Sequence, residues 1–122
     1  MSKMNPFKIC PKCAYTWKTR DEFLEDPFVC LVGFQFNFKE TESGYFLFNH
    51  ILEDDRCDTT MMVAVEPFLS LNKGPMFNEI KFGSEECEGH CKNISDLSLC
   101  SVECKNAVAR KIMQDFSRCK IR

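Results

Sequence analysis

The sequence predicts a small metal-stapled α+β domain with three parts: an N-terminal CxxC knuckle, a three-stranded antiparallel meander and a helical C-terminal part. Nine cysteines occur in 122 residues, and seven of them recur at ligand-like spacings. Residues 28–66 contain runs with the two-residue period of strands, whereas residues 67–122 carry helix-start signals. We therefore expect a single domain over residues 1–122, with the knuckle and meander in 1–66 and the helical part in 67–122.

The knuckle is the segment Cys10-Pro11-Lys12-Cys13. It resembles the knuckle of zinc ribbons and rubredoxins, in which a glycine follows the second cysteine; Ala14 stands in that place here. Thr19 and Glu22 then form a capping-box pattern, which predicts a short helix that ends before Asp26-Pro27.

Three strands are predicted next, over Val29–Phe38, Tyr45–His50 and Thr59–Val65. Strands joined by short turns normally lie side by side, so the simplest arrangement is an antiparallel meander. The residues expected to form the buried face of the first strand are Cys30, Val32, Phe34, Phe36 and Phe38. Cys30 is expected to act as a small core hydrophobe, and Cys119 to be a free thiol.

The C-terminal part is predicted to be mainly helical. Pro67 is placed to open a short helix. Ser84 is expected to cap a helix that carries Cys87 and Cys91, and Ser95 or Asp96 a long helix through about residue 117.

The distal cysteines form two CxxxC pairs, Cys87/Cys91 and Cys100/Cys104. Residues four apart share one face of a helix, so two such pairs on an antiparallel helical hairpin would place four sulfurs around one point. Four thiolates suit zinc and equally suit a [4Fe–4S] cluster, while disulfides or inert packed thiols remain alternatives. His90 is a further candidate to replace one thiolate.

A first metal site is expected at Cys10, Cys13, His50 and Cys57. His50 ends one predicted strand and Cys57 begins the next, so both can face the knuckle across the turn and complete a Cys3His tetrahedron. The alternative for His50 is a strand-end histidine that hydrogen-bonds to backbone.

Four segments of the chain together resemble a group of small cysteine-rich bacterial proteins of unknown function: the CxxC motif, Tyr45–His50, Cys57–Met61 and the twin CxxxC pairs. A glycine tends to follow the cysteine before Thr-Thr in that pattern, whereas Asp58 stands here. The resemblance covers most of the chain and implies a cytoplasmic bacterial protein in which the seven cysteines and His50 act together. It names no activity.

Composition and sequence motifs narrow the range of functions that we expect for this chain. The chain shows no signal-peptide pattern and no apolar run that spans a bilayer, so we expect a cytoplasmic protein whose reduced thiols bind metal. Both ends are basic and the middle is acidic, a pattern that disfavours a nucleic-acid partner. No catalytic signature occurs. The expected function is a non-enzymatic accessory or adaptor protein that binds one or two zinc ions and another protein; the alternative is a small iron–sulfur electron carrier or redox sensor.

Overall fold

The N-terminal segment forms a two-stranded hairpin followed by a short helix. The computed structural model describes residues 6–35, 44–52, 57–77, 81 and 83–118. Strand β1 (Lys8–Ile9) pairs antiparallel with β2 (Thr16–Trp17), and helix α1 spans Arg20–Glu25. The Thr19 side chain accepts a hydrogen bond from the Glu22 N–H (3.1 Å), and the Glu22 carboxylate accepts one from the Lys18 N–H (2.7 Å). These bonds satisfy N–H groups at and before the helix start, so the predicted capped helix is confirmed.

The centre of the fold is a three-stranded antiparallel sheet in the order β3-β4-β5, as the sequence predicted. Strand β3 spans Val29–Gln35, β4 spans Tyr45–Ile51 and β5 spans Asp58–Ala64. Phe46, Phe48 and His50 alternate along the buried side of β4. The period of two that identified the strand therefore also fixes which side of the sheet His50 faces.

The predicted buried face of β3 is only partly correct, because the strand contains a bulge. The register shifts between Leu31 and Gly33, so the alternation inverts there. Val29, Leu31 and Phe34 are buried, whereas Cys30 and Val32 lie half-buried on the other side. Phe36 and Phe38 fall outside the described residues.

Cys30 is disulfide-bonded, so its prediction as a core hydrophobe is wrong. The seven other described cysteines are free thiols. Cys119, expected to be a free thiol, lies outside the described residues.

Aromatic side chains fill the core between the sheet and the helices. A 3₁₀ helix over Glu66–Leu71 carries Phe68 to the sheet, where the ring centroids of Phe46 and Phe68 lie 5.4 Å apart. Phe116 follows helix α2 (Lys105–Met113) and contacts the same ring at 5.3 Å. Edge-to-face packing of this kind stabilises the core beyond the burial of apolar area.

The outer edge of β3 is covered by chain from the C-terminal part. The Leu31 N–H donates to the Ser117 carbonyl (2.8 Å), and the Phe34 N–H donates to the Ile94 carbonyl (3.0 Å). These bonds satisfy groups that an open sheet edge would leave unpaired. The second bond also holds Ile94 beside β3.

The predicted helical hairpin is wrong. The described residues between 83 and 104 contain a single 3₁₀ turn, His90–Lys92, and no α-helix, so α2 begins eight or nine residues later than expected. Gly89 has a left-handed φ of 83°. The Asn93 and Asp96 side chains accept hydrogen bonds from backbone N–H groups two residues ahead (3.0 and 2.9 Å). Such local bonds compete with helical ones and hold this segment as successive turns.

No helix in the described part of the chain has the length and apolar character needed to cross a membrane.

Candidate metal centre

The first two candidate ligands lie in the turn of the N-terminal hairpin. The Cys10 N–H donates to the Tyr15 carbonyl (2.8 Å), and the Ala14 N–H donates to the Cys10 carbonyl (2.9 Å). Ala14 has a φ of 65°, in the left-handed region that favours glycine. Ala14 therefore adopts the backbone conformation for which a knuckle normally carries glycine at this position.

The other two candidate ligands lie at adjoining ends of β4 and β5. His50 pairs with Thr59 across the two strands, and the Leu52 N–H donates to the Cys57 carbonyl (2.9 Å). His50 and Cys57 are fully buried, at 0% exposure each. The sheet therefore positions one imidazole and one thiol against the hairpin turn.

The four side chains converge as the sequence predicted. The ligand atoms of Cys10, Cys13, His50 and Cys57 all lie within 4.8 Å of one another. Cys10 Sγ is 3.6 Å from Cys57 Sγ, and Cys13 Sγ is 3.7 Å from His50 Nδ1. A tetrahedral ion with metal–sulfur bonds near 2.3 Å holds its sulfurs about 3.8 Å apart. The group can hold a metal ion.

The imidazole of His50 faces the thiols through Nδ1, whereas its Nε2 is buried and has no hydrogen-bond partner. The alternative of a histidine bonded to backbone is therefore wrong. Trp17 packs edge-on against the ring at 4.9 Å, and its indole N–H donates to the Asp26 carboxylate (2.8 Å). Trp17 is itself buried, covers the His50 ring and limits the access of water to the centre.

The thiols of this centre ionise unequally. Burial raises the pKa of Cys10, but hydrogen bonds from the backbone N–H groups of Cys13 and Lys12, from His50 and from Cys57 outweigh it and lower the pKa from 9.0 to about 6. Burial raises the pKa of Cys57 to about 12, with further contributions from the hydrogen bonds and negative charges of Cys10 and Cys13. Without a bound cation, the ionisation of several cysteines at this centre is therefore unfavourable. A metal ion would supply the missing positive charge.

The distal cysteines do not form a second site of this kind. Cys87, Cys91 and Cys100 are half-buried and Cys104 is buried, all as free thiols. In the described part of the chain they are not among the groups of three or more ligand atoms that could hold a metal ion. The structure shows no disulfide among these four and does not bring them together as a metal-binding group, so a shared ion at these cysteines stays a prediction.

His90 does not face the distal thiols as a replacement ligand. Its Nδ1 lies 2.8 Å from Asp96 Oδ2, and its Nε2 lies 3.9 Å from Glu88 Oε1. Hydrogen bonds from Ser98 and His90 hold the pKa of Asp96 well below its usual range. His90 therefore serves the local turn structure.

Sequence reasoning missed two polar residues of α2 that contact the distal cysteines. Asn106 is 2% exposed and Arg110 is 0% exposed. Both donate to Cys91 Sγ, each at 3.6 Å. Their spacing of four residues puts them on one helix face, which is the signal that could have identified them.

Comparisons with protein-family models, with curated proteins and with solved structures find no match to this chain. The resemblance to small cysteine-rich bacterial proteins therefore stays a prediction.

Proposed function

We propose that this protein is a non-enzymatic accessory protein that holds zinc at Cys10, Cys13, His50 and Cys57 and acts by binding another protein. The observation that carries the proposal is the convergence of these ligand atoms within 4.8 Å. Three thiols and one imidazole are a donor set of structural zinc sites, in which all four positions are filled by protein. Such a centre has no open position for substrate, which favours a structural role over catalysis.

The surface beside the centre supports a protein partner. A groove of about 690 Å³ borders the metal centre and is lined in part by Tyr15, Trp17, Phe28 and His50. Tyr15 is 51% exposed and Phe28 is 37% exposed. Exposed aromatic side chains in a concave surface are typical of binding sites because they provide apolar area at low entropic cost.

The charge of the groove indicates which partner would fit. Its lining includes the carboxylates of Glu22, Glu25 and Asp26 and the single basic residue Lys18. A segment with Lys or Arg side chains would pair with these carboxylates and pack its stems on the aromatic rings. We therefore propose a partner that presents a basic segment.

Metal analysis tests the proposed centre. Protein purified without added metal is expected to contain zinc at the first site, and Cys13→Ser is expected to lose one equivalent. Asp58→Asn, at an exposed position next to Cys57, is the matched control and is expected to keep its metal. Unchanged metal content in Cys13→Ser would overturn the assignment.

Trp17 is the single tryptophan and reports on the groove. Short peptides that combine Lys or Arg with apolar residues are expected to shift its emission, with binding that weakens as salt rises. Glu25→Gln should weaken this binding, whereas Asp21→Asn, on the same helix but outside the groove, should not. Equal responses to basic peptides and to their acidic counterparts would argue against a basic partner.

A further inference from the structure

Cys91 lies beside two polar side chains of helix α2 that donate hydrogen bonds to its sulfur. Its Sγ accepts one from the side-chain amide of Asn106 and one from Nη2 of Arg110, each at 3.6 Å. Cys91 itself is half-buried, so it remains partly open to solvent. Reactive cysteines are found where partial exposure is combined with neighbouring positive charge. Cys91 has both.

Arg110 is a buried cation that has no carboxylate beside it. It is 0% exposed, and no carboxylate of the described residues lies within ion-pair distance of it. Its Nη1 donates to the Asp96 and Ser98 carbonyls (2.7 and 3.0 Å), and its guanidinium carbon lies 5.3 Å from the centre of the Phe34 ring. These contacts position the guanidinium without neutralising it, and a buried charge without a countercharge is costly. The Cys91 sulfur, which Nη2 contacts, can carry that negative charge.

Two buried atoms of the same side chains have no hydrogen-bond partner in the described part of the chain, and they are of opposite kinds. Arg110 Nε is a donor and Asn106 Oδ1 is an acceptor. Nε and Nη2 share one edge of the planar guanidinium, and Oδ1 and Nδ2 belong to one amide, so both unpartnered atoms adjoin groups that contact Cys91. Buried polar groups are normally satisfied. A group that satisfies both atoms must accept one hydrogen bond and donate another.

A hydroxyl group bonded to the Cys91 sulfur meets this requirement. In a sulfenic acid, Cys–SOH, the oxygen can accept a hydrogen bond from Arg110 Nε, and the hydroxyl can donate its proton to Asn106 Oδ1. A simple anion would leave Oδ1 without a donor, and a simple cation would be repelled by the guanidinium. The two unpartnered atoms therefore favour an oxidised cysteine over a bound ion.

We infer that Cys91 is a modification site at which a hydroperoxide oxidises the thiol to a sulfenic acid that Arg110 and Asn106 hold. In this step the Cys91 thiolate attacks the hydroxyl oxygen of the hydroperoxide. An S–O bond forms, the O–O bond breaks, and the other oxygen leaves as hydroxide or alkoxide and takes a proton from water. Sulfur loses two electrons and the peroxide gains them, so no further reagent is needed. The site is separate from the zinc centre proposed above and does not depend on it.

Trapping of the sulfenic acid tests the inference. The protein is treated with hydrogen peroxide in the presence of dimedone, which forms a stable thioether with sulfenic acids, and peptide mass spectrometry identifies each labelled cysteine. Cys91 is expected to be labelled about tenfold faster than Cys87, a half-buried cysteine four residues earlier, because one hydrogen bond to a charged group has an effect of this size. Equal rates would overturn the inference and leave a water molecule as the partner of the two buried atoms. Labelling of Cys91 only after chelation would identify a metal ligand and would overturn it as well.

Arg110 variants test the role of the guanidinium. Arg110→Met is expected to slow the labelling of Cys91 about tenfold and to leave Cys87 unchanged, because it removes the charge and the donors. Arg110→Lys keeps the charge and should recover part of the rate. Gln114→Ala is the matched control, since Gln114 follows the same helix and donates to the Leu97 and Arg110 carbonyls (2.9 Å each) rather than to Cys91. Equal rates in Arg110→Met, Arg110→Lys and the unchanged protein would refute the role of Arg110.

Asn106→Leu tests the acceptor. When dimedone is added only after the peroxide has been removed, Cys91 of the unchanged protein should still be labelled. In Asn106→Leu the sulfenic acid has lost the acceptor for its proton and should decay several-fold faster. Equal lifetimes would refute the role of Asn106. Circular dichroism checks that each variant folds, and the comparison of Cys91 with Cys87 in the unchanged protein decides the inference if a variant does not.

Discussion

Removing Cys57 should abolish the metal-dependent part of the stability of this fold. Cys57 joins the segment before β5 to the N-terminal hairpin, 47 positions from Cys10, and His50 lies 37 positions from Cys13. A cross-link that closes a loop of this length removes about 4 kcal/mol of chain entropy from the unfolded state. For a domain of this size that corresponds to roughly 12–20 °C in melting temperature.

The assay is thermal unfolding with zinc and after complete chelation, followed by circular dichroism. Chelation should lower the melting temperature of the unchanged protein by that amount and leave Cys57→Ser unaffected. The comparison within each protein removes the cost of placing a serine hydroxyl at a buried site, which acts equally with and without metal. Asp58→Asn should respond to chelation like the unchanged protein. A chelation effect of equal size in Cys57→Ser would refute the proposed cross-link.

Two further predictions concern the thiols and the bulge. Zinc binding at pH 7 should release the proton of Cys57, whose pKa is about 12, and little from Cys10, whose pKa is about 6. Below pH 6 Cys10 also holds a proton that zinc must displace, so the affinity should fall by roughly a further tenfold per pH unit. Chelator competition between pH 5 and 8 measures the zinc affinity. The same dependence of affinity on pH above and below pH 6 would contradict the prediction. Gly33→Ala should lower the free energy of unfolding by about 1–3 kcal/mol, because the added Cβ would lie 2.8 Å from Ile94 Cγ2 and 3.0 Å from the Ile94 carbonyl oxygen. Denaturant unfolding tests this against Ser95→Ala, an exposed change in the same loop that should be near neutral.

The centre at Cys10, Cys13, His50 and Cys57 could be predicted from sequence because local rules position each ligand. A CxxC turn brings two thiols together within one hairpin. Alternation along β4 places His50 on the buried side, and the meander brings Cys57 beside it. The distant contact that had to be inferred is the one between the hairpin turn and the ends of β4 and β5, and the ligand types of the four residues indicated it.

The arrangement of the distal cysteines was not predictable in the same way. Helical spacing suggested one shared face for each CxxxC pair, but the left-handed Gly89 and the Asn93 and Asp96 turns keep the segment from forming an α-helix. The bulge in β3 likewise inverts an alternation that the sequence shows as continuous.

The sequence by itself determined the capped helix α1, the three-stranded sheet and the candidate ligands of the first centre, because periodicity and turn chemistry act over a few residues. Only the tertiary structure decided which polar groups from distant parts of the chain come into contact. Arg110 could be buried only because α2 packs on the sheet and turns its guanidinium toward Cys91, 19 positions earlier. Burial removes the water that would otherwise solvate the guanidinium, and the carbonyls of Asp96 and Ser98 together with Cys91 Sγ accept its hydrogen bonds instead.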